Sequence, residues 1–140
     1  MTNSLYPCLW FDGQAKAAAE FYCSIFKNSK VTVDTPMVVN FELNGKKFMG
    51  LNAGPMFKFN EAISFVVDCE TQDEIDYYWN KLTEGGAESQ CGWLKDKFGV
   101  SWQIVPTVLP KLLSNPEKSQ RVVQAFMKMK KFEIEKLVNA

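Results

Sequence analysis

The chain has 140 residues, 46% of them hydrophobic, and sixteen basic against sixteen acidic side chains, for a formal net charge of zero. That size and composition suit one globular domain with a single core, and the absence of a basic stripe with interleaved aromatics argues against nucleic acid as a partner. No stretch approaches the roughly 18 apolar residues of a membrane span, and MTNSLYPCLWF lacks the basic-then-apolar pattern of an export signal, so a cytoplasmic protein without a membrane partner is expected.

Tyr6 to Phe11 reads as a first strand, closed by the turn dipeptide Asp12-Gly13. From Gln14 to Phe26, Ala18, Phe21, Tyr22, Ile25 and Phe26 keep the spacing of one buried helix face, and Asn28 suits a left-handed C-cap. Lys30 to Leu43 is rich in β-branched residues but broken by Pro36, which predicts two strands. Asn44-Gly45 is a type I′ hairpin signal, and a fourth strand follows over Lys47 to Asn52. The connection Ala53 to Asn60 holds two phenylalanines and a lysine, so it either packs as an ordered loop or lines a binding mouth with Lys58 and Asn60.

The next strand is predicted at Ile63 to Asp68. Thr71-Gln-Asp-Glu74 is a capping box opening a helix whose buried face is Ile75, Tyr78, Trp79 and Leu82, stopped at Gly85-Gly86. A weak strand at Glu88 to Gly92 precedes strands at Trp93 to Lys95 and Val100 to Val105. After Pro106 the pattern turns helical: Ser114-Asn-Pro116 predicts a capped start, Val122, Val123, Phe126, Met127 and Met129 keep helical spacing, and a short turn is expected over Glu133 to Val138. This tail is expected to cover a sheet edge or a partner.

The two halves repeat. Asp68 lies 56 residues after Asp12, and the same shift sets Tyr77-Tyr78 on Phe21-Tyr22 and Leu82 on Phe26. The expected class is therefore α+β: paired βαβββ modules over about 5–54 and 62–106, within one domain of 1–140, and an appended C-terminal helix in the extension 107–140.

Histidine is absent, which removes every mechanism that uses an imidazole as base, shuttle or metal ligand. Four scattered cysteines without CxxC spacing suggest reduced thiols rather than a zinc knuckle or disulfide framework. Asp12 and Asp68 are read as strand-to-helix turn residues.

PCLWFDGQAKAAAEFY, GPMFKFNEAISFVVDCET and CGWLKDKFGVSWQIVPT together resemble the PhnB-like family, labelled 3-demethylubiquinone-9 3-methyltransferase, within the vicinal oxygen chelate (glyoxalase/bleomycin resistance) superfamily. The resemblance implies sheets that curl around a cavity, and a homodimer. It also implies, for metal-dependent relatives, ligands at the start of each module's first strand and in the last strand. Here those places hold Tyr6-Pro7-Cys8, Ala62-Ile63-Ser64 and Gln103, a set without carboxylate or imidazole, so neither metal nor cofactor is expected.

Strand alternation pairs Cys8 with Trp10, Asn52 with Gly50, Ser64 with Val66, and Ser101 with Gln103 and Val105. If those faces point inward they line a mostly apolar pocket. The candidate ligand-binding residues are Cys8, Trp10, Asn52, Lys58, Ser64, Trp93 and Gln103; each of Cys8, Ser64, Asn52 and Gln103 has an equally good structural reading, and Trp93 a better one as core. The expected function is metal-free binding of an unidentified small molecule. The alternatives are an enzyme, whether a metal-dependent lyase or dioxygenase, the methyltransferase of the family label, or a Cys8 nucleophile, and an interaction module whose Phe126-Met127 helix docks a partner.

Overall fold

The computed structural model describes residues 3–140. The chain divides into two compact units, the first running to Phe59 and the second from Asn60 to Ala140. Each contains one four-stranded sheet with its first strand parallel to its last, and the two orders, β1-β4-β3-β2 and β5-β8-β7-β6, are the same order repeated.

The first unit comprises β1 (Cys8–Phe11), α1 (Ala15–Ile25), β2 (Lys30–Asp34), β3 (Val38–Leu43) and β4 (Lys46–Asn52). The first strand begins two residues later than expected. Pro7 has no N–H to give the ladder, yet its carbonyl still accepts from the Met49 N–H at 3.0 Å. Asn28 and Asn44 both hold positive φ, at 51° and 53°, as their predicted cap and turn roles require.

Alternation sends Leu9, Phe11, Val39, Phe41 and Leu43 to one face, where they are buried with Ala15, Ala18, Ala19, Tyr22 and Ile25 of α1. The helix lies close because its contact stripe is alanine and the strand beneath it offers a glycine. A Cβ on Gly50 would stand 3.1 Å from that of Ala15. Asn52 also lies on this side, and its Oδ1 accepts the Ala15 N–H at 2.9 Å, satisfying a first-turn donor for which Gln14 provides no side-chain cap.

The second unit comprises β5 (Ser64–Cys69), α2 (Gln72–Thr83), β6 (Ala87–Glu88), β7 (Trp93–Lys95) and β8 (Ser101–Pro106), followed by α3 (Leu109–Leu113), α4 (Ser119–Phe126) and α5 (Ile134–Val138). The capping box at Thr71 and Glu74 is formed in both directions, as its sequence predicts. The weak strand is shorter than expected, because Cys91 and Gly92 take φ of 58° and 82° and turn the chain out of the sheet.

The extension is helical but not one helix. Ser114 ends α3, its hydroxyl donating to the Lys111 carbonyl, and Asn115 Oδ1 accepts the Glu117 N–H in a local turn, so the next helix starts only at Ser119. Among the described residues no helix is long and apolar enough to cross a membrane.

Two devices hold this unit together. The Asp96 carboxylate, 3% exposed, accepts the Phe98 and Val100 N–H groups on Oδ1 and the Trp102 indole N–H on Oδ2, tying the β7–β8 turn to the strand it starts. The extension is clamped by Gln72, whose Nε2 donates to the Phe132 carbonyl at 2.9 Å and whose Oε1 accepts the Ile134 N–H at 2.8 Å. Cys91 and Gly92 donate to the Met129 and Lys130 carbonyls, and Phe132 seats against Gly92, where a Cβ would fall 2.4 Å from the ring. Val122, Met129, Phe132 and Leu137 are thereby core residues.

Replacing Asp96 by Ala strands a buried indole N–H and two backbone donors, and denaturant unfolding should show a loss of about 3 kcal/mol. Phe132→Ala should cost about 3–5 kcal/mol by leaving a cavity over Gly92; an unchanged midpoint would mean that the extension is only an appendage.

Candidate functional site

In the second unit, one sheet face is covered and the other is not. Cys69, Leu94, Trp102, Ile104 and Pro106 are buried on the helix side with Ile75, Trp79 and Leu82. The register then fixes what the opposite face displays. One row across β5, β8, β7 and β6 reads Ser64, Ser101, Lys95 and Ala87; the next reads Val66, Gln103 and Trp93.

Within that array Gln103 Nε2 donates to Ser64 Oγ at 2.9 Å. Lys95 forms an ion pair with Glu61, whose carboxyl is held below its usual range by the hydrogen bond and then the charge of that lysine. Ser101 is 1% exposed and its Oγ has no hydrogen-bond partner. A buried hydroxyl left unpaired is costly, so its position beside an opening is informative. That opening is a cavity of about 290 Å³ lined by Trp93, Lys95, Ser101, Glu61, Glu88 and their neighbours. Glu88 Oε2 accepts the Trp79 indole N–H at 2.5 Å.

Of the residues singled out from sequence, Ser64, Trp93 and Gln103 come together on this face. Cys8 and Trp10 share the uncovered face of the first sheet, where Cys8 is exposed and Trp10 half-buried. The Trp10 indole N–H donates to the Gly54 carbonyl and its ring meets Phe57 edge-on at 4.8 Å, so the connection after β4 is an ordered loop. Lys58 is exposed in that loop.

Asn52 is the correction. It shares a face with Gly50, as alternation requires, but that is the helix-covered face, and its Nδ2 donates to the Pro36 carbonyl while Oδ1 caps α1. Four residues of the lining named above, Glu61, Glu88, Lys95 and Ser101, were not among the candidates singled out from sequence. Ser101 and Lys95 were legible by parity with Gln103 and Trp93, whereas nothing local announces the pairing of Glu61 with Lys95.

The donor set does not fit a divalent ion. Ser64 and Gln103, which stand where metal-binding relatives would place ligands, hydrogen-bond each other and are both neutral. Among the described residues no group of three His, Cys, Asp or Glu is placed to hold a metal. Hard cations need several oxygens with compensating charge, and zinc needs nitrogen or thiolate. Three of the four thiols are also ill suited to nucleophilic chemistry: partial desolvation pushes the Cys8 and Cys23 pKa up, and burial pushes that of Cys69 to about 11.

The family model for 3-demethylubiquinone-9 3-methyltransferase matches residues 3–105. Among solved structures, the chain is similar to the Bacillus cereus PhnB protein described under that same activity, at 32% identity and TM-score 0.69 over 75% of this chain and 100% of that one. It also shares its fold with a glyoxalase-related enzyme from Fulvimarina pelagi (13% identity, TM-score 0.56, 78% and 91% covered). The fosfomycin resistance protein FosX of Listeria monocytogenes, solved with Mn(II) and sulfate, is a further match (13%, 0.59, 80% and 96%). No curated protein sequence matches the chain. With the repeated βαβββ sheets and the match across most of its length, the chain belongs to the PhnB-like, 3-demethylubiquinone-9 3-methyltransferase-labelled family of the vicinal oxygen chelate superfamily.

Proposed function

We propose that the protein binds a small organic molecule without a metal, on the uncovered face of the second sheet. The observation that carries this reading is the buried, unpartnered hydroxyl of Ser101, a residue that lines a cavity together with Trp93 and Lys95. A mostly apolar recess with a few convergent polar groups is the usual anatomy of a small-molecule site, and about 290 Å³ is at the small end of that range. Ser64 and Gln103 extend the polar lining along the same face. Cys8, Trp10 and Lys58 belong to the proposal as a second polar and aromatic group within the first unit.

Catalysis by the mechanism of the family label has no support in the chain's own chemistry. A methyl transfer from S-adenosylmethionine commonly uses a glycine-rich loop ahead of a helix in a nucleotide-binding parallel sheet, and both sheets here are mixed, with one glycine in the first turn. The reading includes a homodimer, supported by exposed Met56, Phe57, Ile63 and Val66, and a cytoplasmic location, supported by four free cysteines.

Native mass spectrometry with elemental analysis tests this directly. The expected species is a dimer without stoichiometric metal that retains an organic mass, lost on Trp93→Ala or Gln103→Ala; about one transition metal per subunit would overturn it. Alkylation tests the nucleophile alternative. A raised pKa means less thiolate at neutral pH, so iodoacetamide should modify Cys8 more slowly than a free thiol and leave Cys69 intact in the folded protein. A Cys8 rate above that of a free thiol would restore it as a nucleophile.

A further inference from the structure

On the uncovered face of the second unit, unspent donors outnumber unspent acceptors. Lys95 and Ser101 are cross-strand partners, and Trp93 lies two residues before Lys95 on the same side of β7; all three line the cavity. Ser101 is 1% exposed, and its hydroxyl has no partner. Trp10, Trp79 and Trp102 each donate their indole N–H to a protein oxygen, whereas Trp93 donates to none among the described residues. Lys95 adds an ammonium with three N–H groups, whose ion-pair partner among the described residues is Glu61.

The two carboxylates of the lining are already engaged. Glu88 pairs with Leu94 in the ladder and gives its carboxylate to the Trp79 indole N–H on the helix-covered side, so it places no charge on this face. Glu61 is held differently: it stands in the turn before β5, in contact with the Lys95 ammonium. The side chains of Lys95 and Glu61 are 43% and 58% exposed, so the bond between them contributes little and is readily exchanged. Glu61 thus shows a carboxylate seated at Lys95, on a tether free to swing into solvent.

We propose that this cavity takes a small organic carboxylate on an apolar or aromatic body, with Glu61 as its resident competitor. The ligand's carboxylate replaces that of Glu61 at Lys95 and accepts from the Ser101 hydroxyl, and the body lies along Trp93. One charge-assisted pair then stands in for another, and a hydroxyl that the free protein leaves unpaired gains an acceptor. An ammonium ligand would meet Lys95 as a like charge. A neutral ligand would have to bind beside the intact ion pair and gain hydrogen bonds alone. This assignment rests on the small-molecule reading of the face and adds the ligand's charge to it.

The test uses the full chain labelled with ¹⁵N, with the Trp93 indole resonance assigned by its loss in Trp93→Phe. Benzoate, benzyl alcohol and benzylamine are titrated at pH 7 and low salt. Benzoate should shift that resonance saturably and bind about tenfold more tightly than benzyl alcohol, with benzylamine weakest. Lys95→Met and Ser101→Ala should each weaken benzoate by about tenfold, the loss of one charge-assisted hydrogen bond. Glu61→Gln should act in the opposite direction and tighten benzoate about threefold, because it removes the competitor. Both members of the ion pair are largely exposed, so neither Lys95→Met nor Glu61→Gln should move the melting temperature by more than a few degrees. Equal binding of benzyl alcohol, a preference for benzylamine, or a Glu61→Gln variant that fails to tighten benzoate overturns the carboxylate assignment and leaves the small-molecule reading standing. If none of the three probes moves the Trp93 resonance, this assignment falls, and an organic mass retained in the native spectrum would still keep the broader reading.

Discussion

A four-stranded sheet has two faces, and one crossover helix can cover only one of them. Because side chains alternate along each strand, that single constraint sorts every residue of a module into a packed set and a displayed set. In the first unit α1 takes the face of Leu9, Phe11, Val39 and Phe41, and the face of Cys8 and Trp10 is left over. In the second unit α2 takes Leu94, Trp102 and Ile104, leaving the face of Ser64, Ser101, Gln103, Trp93 and Lys95. The candidate site is thus a consequence of where the helix goes, and it lies on ladder positions that cannot shift by one residue without exposing the core.

What that displayed face can do follows from what it lacks. Without histidine there is no group poised to exchange a proton near neutral pH. Gln103 and Ser64 satisfy each other as neutral partners, where a metal site would need both turned on the ion. The chemistry that the face does offer is shape, hydrogen bonding and the Glu61–Lys95 ion pair. Rigidity comes from Asp96, whose carboxylate fixes the turn between the two strands that carry Trp93, Lys95, Ser101 and Gln103.

The repeat made most of the architecture legible. Asn44-Gly45, the capping box at Thr71 and the break at Pro36 are local signals, and each element they predict is present within a residue or two. The site was legible in part, since parity alone grouped Ser101 with Gln103. Parity cannot say which side of a sheet the helix will cover, and that is why Asn52 was grouped as a pocket residue while it caps α1 from the covered side. Cys8 could be taken as a small core residue for the same reason, although its place at the exposed start of the first strand leaves it open. The helical character of the extension is legible in sequence, while the start expected at Pro116 falls instead at Ser119, because a proline after Asn can open a turn as readily as a helix. The Glu61–Lys95 pair joins distant positions through the fold, which no local pattern encodes.

The extension also explains why the two units are not equivalent despite their common topology. The family match ends at residue 105, so α3, α4 and α5 lie beyond the segment that defines the fold. They are nonetheless integral to the second unit: Phe132 fills the space that Gly92 leaves, and Gln72 and Asp76 of α2 hold the chain at Phe132, Ile134 and Lys131. These contacts run along α2 and the turn before β7. The added mass therefore thickens the side that is already packed and contributes nothing to the cavity lining, which consists of residues from 61 to 101. Of the apolar residues of the extension, Val122, Met129, Phe132 and Leu137 belong to this core, whereas Val123 and Met127 of the same stripe are exposed.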